Sequence, residues 1–179
     1  RDKDYRKTVS AKKSLGGGVL LELSHELDYL RWIFGDIEFV QAQLSKQSAL
    51  DIDVEDTVHT IVTFKKNYKN INLIASLSLD FIRHDKVRIC HVIGDKGSLR
   101  WNGLTGDIDL FELNSTEWKN IYKDEINLDQ SYKEEWLHFI ECINKKEYPR
   151  ISFQDSVEVL NIIDSIKKAS SSGKRVKVK

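Results

Sequence analysis

The chain has 179 residues, and its 28 Lys and Arg residues balance 28 Asp and Glu residues, so the formal net charge is zero. A chain of this length buries about two thirds of its unfolded surface, which predicts a folded domain with a hydrophobic core. Because a neutral chain has no overall field that attracts nucleic acid or an anionic membrane, we expect neither as a partner.

The longest apolar runs are broken by charge well before the ~20 residues that a membrane span needs. The two cysteines, Cys90 and Cys142, lie in apolar periodic segments without Cys-x-x-Cys spacing. That pattern indicates free thiols in a reducing compartment, so we expect a cytoplasmic protein. The sequence contains no Met and begins with Arg1, from which we expect that an N-terminal part is missing.

The N-terminal region of the chain is predicted to lead into a helix. Residues 1–14 have no apolar periodicity and are predicted to form an exposed connector. Three consecutive glycines, 16–18, and a short apolar run follow it. Apolar residues then recur at helical spacing, with Ser24 suited to an N-cap and Gly35 to a C-cap, so we predict a helix over about residues 25–34.

The middle of the chain alternates apolar and polar residues with the period of half-buried strands. Short connections rich in turn formers favour antiparallel neighbours over crossovers. In one strand, Ser76, Ser78 and Asp80 give the face opposite the apolar one small polar groups, so this face is expected either to be solvated or to lie against another subunit. Strands are predicted over residues 39–45, 57–64, 71–82, 87–94, 98–101, 107–113 and 118–122.

Two amphipathic helices are predicted near the end of the chain. The first is expected to begin with a capping box at Ser131 and Glu134, and the second with Ser152 and Asp155. The segment after Gly173 alternates apolar residues with cations and predicts a charged edge strand. Grouped strands beside helices indicate an α+β fold, with a predominantly antiparallel open sheet and helices on one face.

The glycine triplet does not fit a dinucleotide fingerprint, because that motif needs G-x-G-x-x-G between a strand and a helix. We expect the glycines to let the backbone pass close to another backbone or to a ligand, with an ordinary flexible turn as the alternative. The acidic residues in 51–56 lack the EF-hand glycine and its closing glutamate, so a solvated acidic loop is expected. The histidines lack ligand spacing, and no metal site is predicted.

His25 opens the predicted helix, where the positive end of the helix dipole disfavours a protonated imidazole and leaves a ring that accepts a proton. Glu22 stands three residues before it and Asp28 three after, and a carboxylate that binds one ring nitrogen orients the other. These features suit a general base. The alternative is an ordinary capping or core histidine. The zinc motif H-E-x-x-H is incomplete, because Tyr29 occupies the second His position.

The stretch DYRKTVSAKKSLGGGVLLELSHELDYLRWIFGD resembles the Gfo/Idh/MocA family of nicotinamide-dependent oxidoreductases, in the segment just after the nucleotide-binding domain. The likeness continues through VIGDKGSLRW and the final YPRISFQDSVEVLNIIDSIKKASSSGKRVKV and covers essentially the whole chain. It implies that residues 15–179 are the C-terminal substrate-binding and oligomerisation domain, and that residues 1–14 connect it to a missing Rossmann domain. That domain would bind the cofactor, NAD or NADP, and carry the catalytic lysine.

The resemblance also implies roles for individual residues. His25 matches the histidine that relays the hydroxyl proton, because Asp28, Arg31 and Trp32 follow at the family's offsets. The family commonly has an Asp four residues before this His. Here Glu22 stands three residues before it and is the candidate for the role of that Asp. We expect substrate contacts from Arg6, Lys7, Gly17, Gly18, Asp28 and Arg83.

For the whole protein, the resemblance implies an NAD(P)-dependent dehydrogenase of EC 1.1.1 type that acts on a sugar, nucleotide-sugar or cyclitol hydroxyl. The form SHELDYLRW is similar to a subgroup associated with polysaccharide biosynthesis. The detached domain is expected to bind no cofactor and to be inactive alone, and to form a homo-oligomer through its sheet face. The alternative is a non-catalytic, self-associating α+β interaction module in which His25 is structural.

Overall fold

A computed structural model describes residues 4–66, 69–123 and 128–179. The chain divides into two compact units, one formed by Arg1–Arg83 with Ile151–Lys179 and the other by His84–Arg150. Each unit contains a four-stranded antiparallel sheet, so the predicted α+β class is confirmed, with the strands shared between two sheets.

The described residues contain four α-helices: α1 at Val19–Glu22, α2 at His25–Phe34, α3 at Leu128–Lys145 and α4 at Phe153–Ser172. Short 3-10 turns at Tyr5–Lys7, Val9–Ala11 and Lys13–Leu15 occupy the region predicted to be a connector. The strands are β1 at Ile37–Ser45, β2 at Thr57–Phe64, β3 at Ile74–Asp80, β4 at Ile89–Gly94, β5 at Gly97–Asn102, β6 at Ile108–Glu112, β7 at Lys119–Tyr122 and β8 at Val176–Lys177.

The sheet of the first unit has the strand order β3-β2-β1-β8. Among the described strands, β8 pairs with β1 alone and lies at the edge of the sheet, which confirms the predicted charged edge strand. Helix α4 packs on β1, and α1 lies against β2 and β3. The sheet therefore has one covered face, where the apolar side chains meet; fully buried members of this core include Val19, Leu20, Leu27, Val58, Val62, Phe64 and Ile166.

Helix α4 begins and ends as predicted. The Ser152 hydroxyl accepts a hydrogen bond from the Asp155 N–H group, and the Asp155 carboxylate accepts one from the Ser152 N–H group, which completes a capping box. Gly173 ends the helix in the left-handed conformation with φ of 65°. Hydrogen bonds from Ser152 and Arg31 lower the pKa of Asp155 to about 2. The Arg31 Nη1 atom lies 2.9 Å from Asp155 Oδ1 and so links α2 to the start of α4.

Two predicted elements differ most from the structure, and the ends of several other strands differ by one or two residues. Helix α3 spans Leu128–Lys145, so Ser131 lies inside it and is not the N-cap that the predicted capping box requires; an acidic Asp129 in the first turn suits the earlier start. The strand predicted over 71–82 is shorter, because Asp80 Oδ1 accepts hydrogen bonds from the next turn's N–H groups and starts that turn.

The second unit has the strand order β4-β5-β6-β7. Arg100 on β5 pairs with Asp109 on β6 at 2.8 Å and holds the pKa of that carboxyl below its usual range. The Arg100 guanidinium also lies over the Trp118 ring. Within the described residues neither Cys90 nor Cys142 forms a disulfide, and Cys142 is buried. In the part of the chain that the structure describes, no helix is long and apolar enough to cross a membrane.

Candidate functional site

The glycine turn, residues 16–18, packs directly against the connector that precedes it. The Gly17 N–H group donates to the Lys12 carbonyl oxygen at 2.9 Å, and the Gly18 N–H group donates to the Ser10 carbonyl oxygen at 3.1 Å. A Cβ atom on Gly17 would overlap the Val9 carbonyl oxygen and lie 2.7 Å from that of Ser10. At Gly17, therefore, the close approach is of backbone to backbone.

Gly18 faces a carboxylate from a distant loop. Its φ is +110°, and the space that a Cβ atom would need is filled by the Glu55 carboxylate. Glu55 Oε1 accepts a hydrogen bond from the Leu20 N–H group at 3.3 Å, and the Glu55 carbonyl oxygen accepts one from the Val19 N–H group at 3.1 Å. Gly18 is the N-cap of α1 and has no side chain to offer, so Glu55 supplies both acceptors for the first turn.

The neighbouring part of the same loop binds the connector. Asp53 Oδ1 accepts a hydrogen bond from the Lys13 N–H group at 2.6 Å. The Tyr5 hydroxyl accepts one from the Asp51 N–H group at 3.1 Å. The acidic segment, residues 51–56, therefore holds the connector and the glycine turn in place rather than lying free in solvent.

Asp56 anchors the acidic segment and is fully buried, with 0% of its surface exposed. Its carboxylate accepts hydrogen bonds from the N–H groups of Gln47 and Ser48 at 2.8 and 2.9 Å, and from the hydroxyls of Ser48 and Thr57. Burial by itself would raise the pKa of Asp56, but these hydrogen bonds outweigh it and lower the pKa to about 2. The expectation of a solvated acidic loop is wrong at Asp56, because the carboxylate stabilises the turn after β1.

His25 is the first residue of α2, and its side chain is 52% exposed. Its Nε2 atom lies 3.1 Å from Oε1 of Glu26, whose side chain is only 10% exposed. A carboxylate at Nε2 favours the tautomer that carries its proton there, which leaves the lone pair on Nδ1 as the proton acceptor. Asp28 is in the same first turn and is partly buried. His25 and Glu26 therefore have the arrangement of a base and the carboxylate that orients it.

The other predicted site residues lie at separate points of the first unit. Glu22 ends α1 with an exposed side chain, which makes no hydrogen bond or ion pair within the described residues. Arg6 is exposed and pairs with Asp4 at 2.7 Å, which lowers the pKa of that carboxyl. Lys7 is exposed in the same turn, and Arg83 is exposed just after β3, with its N–H group bound to Asp80 Oδ1. In the ranges described above, neither Arg6 nor Lys7 makes a hydrogen bond or ion pair with His25.

Glu26 and Glu55 are the two residues of this region that the sequence analysis did not single out. The contact of Glu26 with His25 depends on side-chain directions at the start of α2, which residue spacing does not specify. Glu55 lies 35 positions from Leu20 in the chain, so no local pattern connects them. The only sequence signal at Glu55 is its place in an acidic run just before a strand.

The glycine turn does not fit the pyrophosphate of a dinucleotide. The Gly17 and Gly18 N–H groups, which would have to face a pyrophosphate, are already bound to connector carbonyl oxygens. The Glu55 carboxylate occupies the space beside Gly18 and would repel a phosphate. No group of three or more His, Cys, Asp or Glu side chains able to hold a metal ion occurs among the residues with a described placement.

A family model described as "Oxidoreductase family, C-terminal alpha/beta domain" matches residues 2–178. Levoglucosan dehydrogenase in complex with NADH has 19% identity and a TM-score of 0.83, over 98% of this chain and 55% of that chain. An NAD binding oxidoreductase from Klebsiella pneumoniae has 15% identity and a TM-score of 0.80, over 99% of this chain and 55% of that chain.

The WlbA dehydrogenase from Bordetella pertussis, in complex with NADH and UDP-GlcNAcA, has 19% identity and a TM-score of 0.71, over 98% of this chain and 50% of that chain. At such identities, the likeness establishes the fold. The chain spans about half the length of these solved structures. No curated protein matches it in sequence.

Proposed function

The chain belongs to the Gfo/Idh/MocA oxidoreductase family as its C-terminal alpha/beta domain, and from that membership we propose that it is the substrate-binding half of an NAD(P)-dependent dehydrogenase. The proposed substrate is a sugar, nucleotide sugar or cyclitol, oxidised at a hydroxyl group. The observation that carries this proposal is the half-exposed His25 with the Glu26 carboxylate on one ring nitrogen. Structures of similar fold include dehydrogenases in complex with levoglucosan, L-sorbose and UDP-GlcNAcA.

In the proposed reaction, His25 Nδ1 accepts the proton of the substrate hydroxyl. A nicotinamide cofactor held by a separate domain would supply the acceptor for the hydride that leaves the same carbon. Loss of the proton and the hydride turns the alcohol into a carbonyl group, and the positive charge rests on the imidazole ring. Glu26 stabilises that charge through Nε2. Glu22 is the second candidate for this role, although its exposed side chain makes no hydrogen bond or ion pair within the described residues.

The proposed substrate contacts come from the first unit. Asp28 lies three residues after His25 in the first turn of α2, and its carboxylate is the proposed acceptor of a hydrogen bond from a second hydroxyl. Lys7, Arg6 and Arg83 are exposed cations that suit a carboxylate or diphosphate group on a substrate. Gly17 and Gly18 contribute by keeping side chains out of the space beside the connector; their N–H groups are bound within the protein.

We also propose a homo-oligomer formed through the open face of the first sheet. That face carries the exposed small residues Ser76 and Ser78, and Ile74 is 70% exposed at its edge. A shallow depression on the face is lined partly by Ile61 and Phe39. An open surface of small, apolar and polar side chains suits a partner of complementary shape. The same face is compatible with the rival function, a non-catalytic self-associating module.

The direct test of the proposed function uses the coding sequence upstream of Arg1. We expect it to encode a strand followed by G-x-G-x-x-G and, later, Glu-Lys-Pro. The protein expressed from the extended reading frame should reduce NAD or NADP with at least one sugar, while the 179-residue chain alone should bind neither cofactor and show no turnover. Robust dehydrogenase activity from the 179 residues alone would contradict the proposal that a separate domain binds the cofactor and this chain binds the substrate.

A further inference from the structure

Glu55 makes contacts that the proposed reaction does not use. Its carboxylate fills the space beside Gly18 and accepts from the Leu20 N–H group, while its carbonyl oxygen accepts from the Val19 N–H group. We propose that Glu55 is the positioning residue for His25: by capping α1 from a distant loop, it fixes the short helix that leads into the proposed base. This inference rests on the proposed role of His25.

Helix α1 needs an acceptor from outside its own segment. It has only four residues, and a single turn of helix is unstable without additional contacts. Its N-cap, Gly18, cannot accept the N–H groups of the first turn with a side chain. Glu55 provides a carbonyl oxygen and a negative charge at the positive end of the helix, and both stabilise α1.

The position of α1 is transmitted to His25 through consecutive backbone hydrogen bonds. Leu23, which follows α1, donates its N–H group to the Val19 carbonyl oxygen at 3.0 Å, and Glu26 donates its N–H group to the Leu23 carbonyl oxygen at 3.0 Å. Only Leu23 and Ser24 separate the two helices. A movement of Val19 therefore moves the residues that carry both members of the His25–Glu26 pair.

Residues before and after Glu55 are hydrogen-bonded to other parts of the protein, and these bonds fix the position of Glu55. The next residue, Asp56, is fully buried and hydrogen-bonded to the turn after β1. Asp53 binds the Lys13 N–H group of the connector. An exposed, freely rotating glutamate would have no such anchors. Because Val19 and Leu20 are also fully buried, α1 is packed between the hydrophobic core and the acidic segment.

The first test measures hydrogen exchange of the Leu20 amide by NMR in the chain with Glu55→Ala, Glu55→Gln and, as matched control, Asp51→Asn. Asp51 is exposed in the same acidic segment, and its side chain makes no hydrogen bond in the described ranges. Glu55→Ala should accelerate exchange of the Leu20 amide by about tenfold or more relative to the control. Glu55→Gln keeps an oxygen acceptor and should restore most of the protection. Equal exchange in Glu55→Ala and Asp51→Asn would overturn the inference.

The second test measures turnover of the intact dehydrogenase, with its nucleotide-binding domain, in the same variants. Glu55→Ala should lower kcat by about tenfold with little change in KM, and Glu55→Gln should recover most of it, because the residue acts through the placement of His25. If His25→Ala abolishes turnover while Glu55→Ala behaves like Asp51→Asn, this inference fails and the proposed function stands. If Glu55→Ala accelerates Leu20 exchange but His25→Ala leaves turnover unchanged, the proposed function fails, and with it the role of Glu55 in positioning a base.

Discussion

The Glu26 carboxylate lies 3.1 Å from Nε2 of His25, although the two residues are neighbours in the sequence. Adjacent residues within a helix do not usually face each other. Here His25 is the first residue of α2, and its ring turns toward the largely buried carboxylate of the next residue. About half of the His25 side chain remains exposed, with 52% of its surface accessible.

Glu26 and Glu22 are the two candidates for the carboxylate that orients the His25 ring. Replacing each of them in turn shows which one has this role. Glu26→Gln should lower kcat of the intact enzyme by about tenfold, because the amide stabilises the protonated imidazole less than a carboxylate does. Glu22→Gln should stay within about twofold of the parent, because Glu22 makes no side-chain contact with the ring. Steady-state kinetics of the two variants decide the question. The reverse ranking would assign the role to Glu22.

Gly17→Ala should destabilise the protein by about 2 kcal/mol or more, because the added methyl group overlaps backbone carbonyl oxygens that cannot rotate away. Gly94→Ala is the matched control, since the nearest atom to its Cβ is 3.4 Å away. Urea unfolding followed by circular dichroism measures both. A Gly17→Ala protein as stable as Gly94→Ala would show that the connector does not pack against the glycine turn as described.

Asp56 should make stability depend on pH in the acidic range. Its pKa is lowered from 3.8 to about 2 in the folded protein, so its contribution is complete above about pH 4 and is lost as the pH falls toward 2. The lowered pKa corresponds to roughly 2 kcal/mol. In urea titrations at pH 6 and pH 2.5, the stability gap between the parent and Asp56→Asn should therefore narrow toward the lower pH.

The matched control for this pH series is Asp51→Asn, which removes an exposed carboxylate from the same segment. Its stability gap to the parent should change little between the two pH values. If the difference in unfolding free energy between the parent and Asp56→Asn also stays the same at both pH values, Asp56 is not the ionised, hydrogen-bonded anchor described here.

An arginine on the open face of the first sheet should block self-association through that face. Ser76→Arg places a long cation among small exposed side chains, and in a symmetric interface two such cations would meet. Sedimentation equilibrium should show a smaller species than the parent forms. Ser171→Arg, exposed on α4, is the matched control and should leave the parent's mass unchanged. If Ser76→Arg associates like the parent, the interface lies elsewhere.

Features set by neighbouring residues were predictable from the sequence. The capping box of α4 and its closing glycine follow from side chains within one turn of each end. β2 matches its predicted span, because its alternation is regular and turn formers bound it. The start of α3 was missed, because residues before the plausible capping box at Ser131 are already helical.

The positions of His25 and of the glycines were visible in the sequence, but their partners were not. Glu55 reaches Leu20 across 35 residues, and only the folded sheet brings the acidic segment to the glycine turn. The same holds for the division of the strands between two sheets, since strand alternation specifies faces and not which strands share a sheet.

The most direct test of the account compares turnover of the intact dehydrogenase with that of His25→Ala, using His91→Ala, an exposed histidine of β4, as control. If His25 is the proton acceptor, His25→Ala should lower kcat by about 100-fold or more, whereas His91→Ala should stay close to the parent. A decrease of only a few fold in His25→Ala, similar to that in His91→Ala, would contradict the account and leave His25 with a structural role.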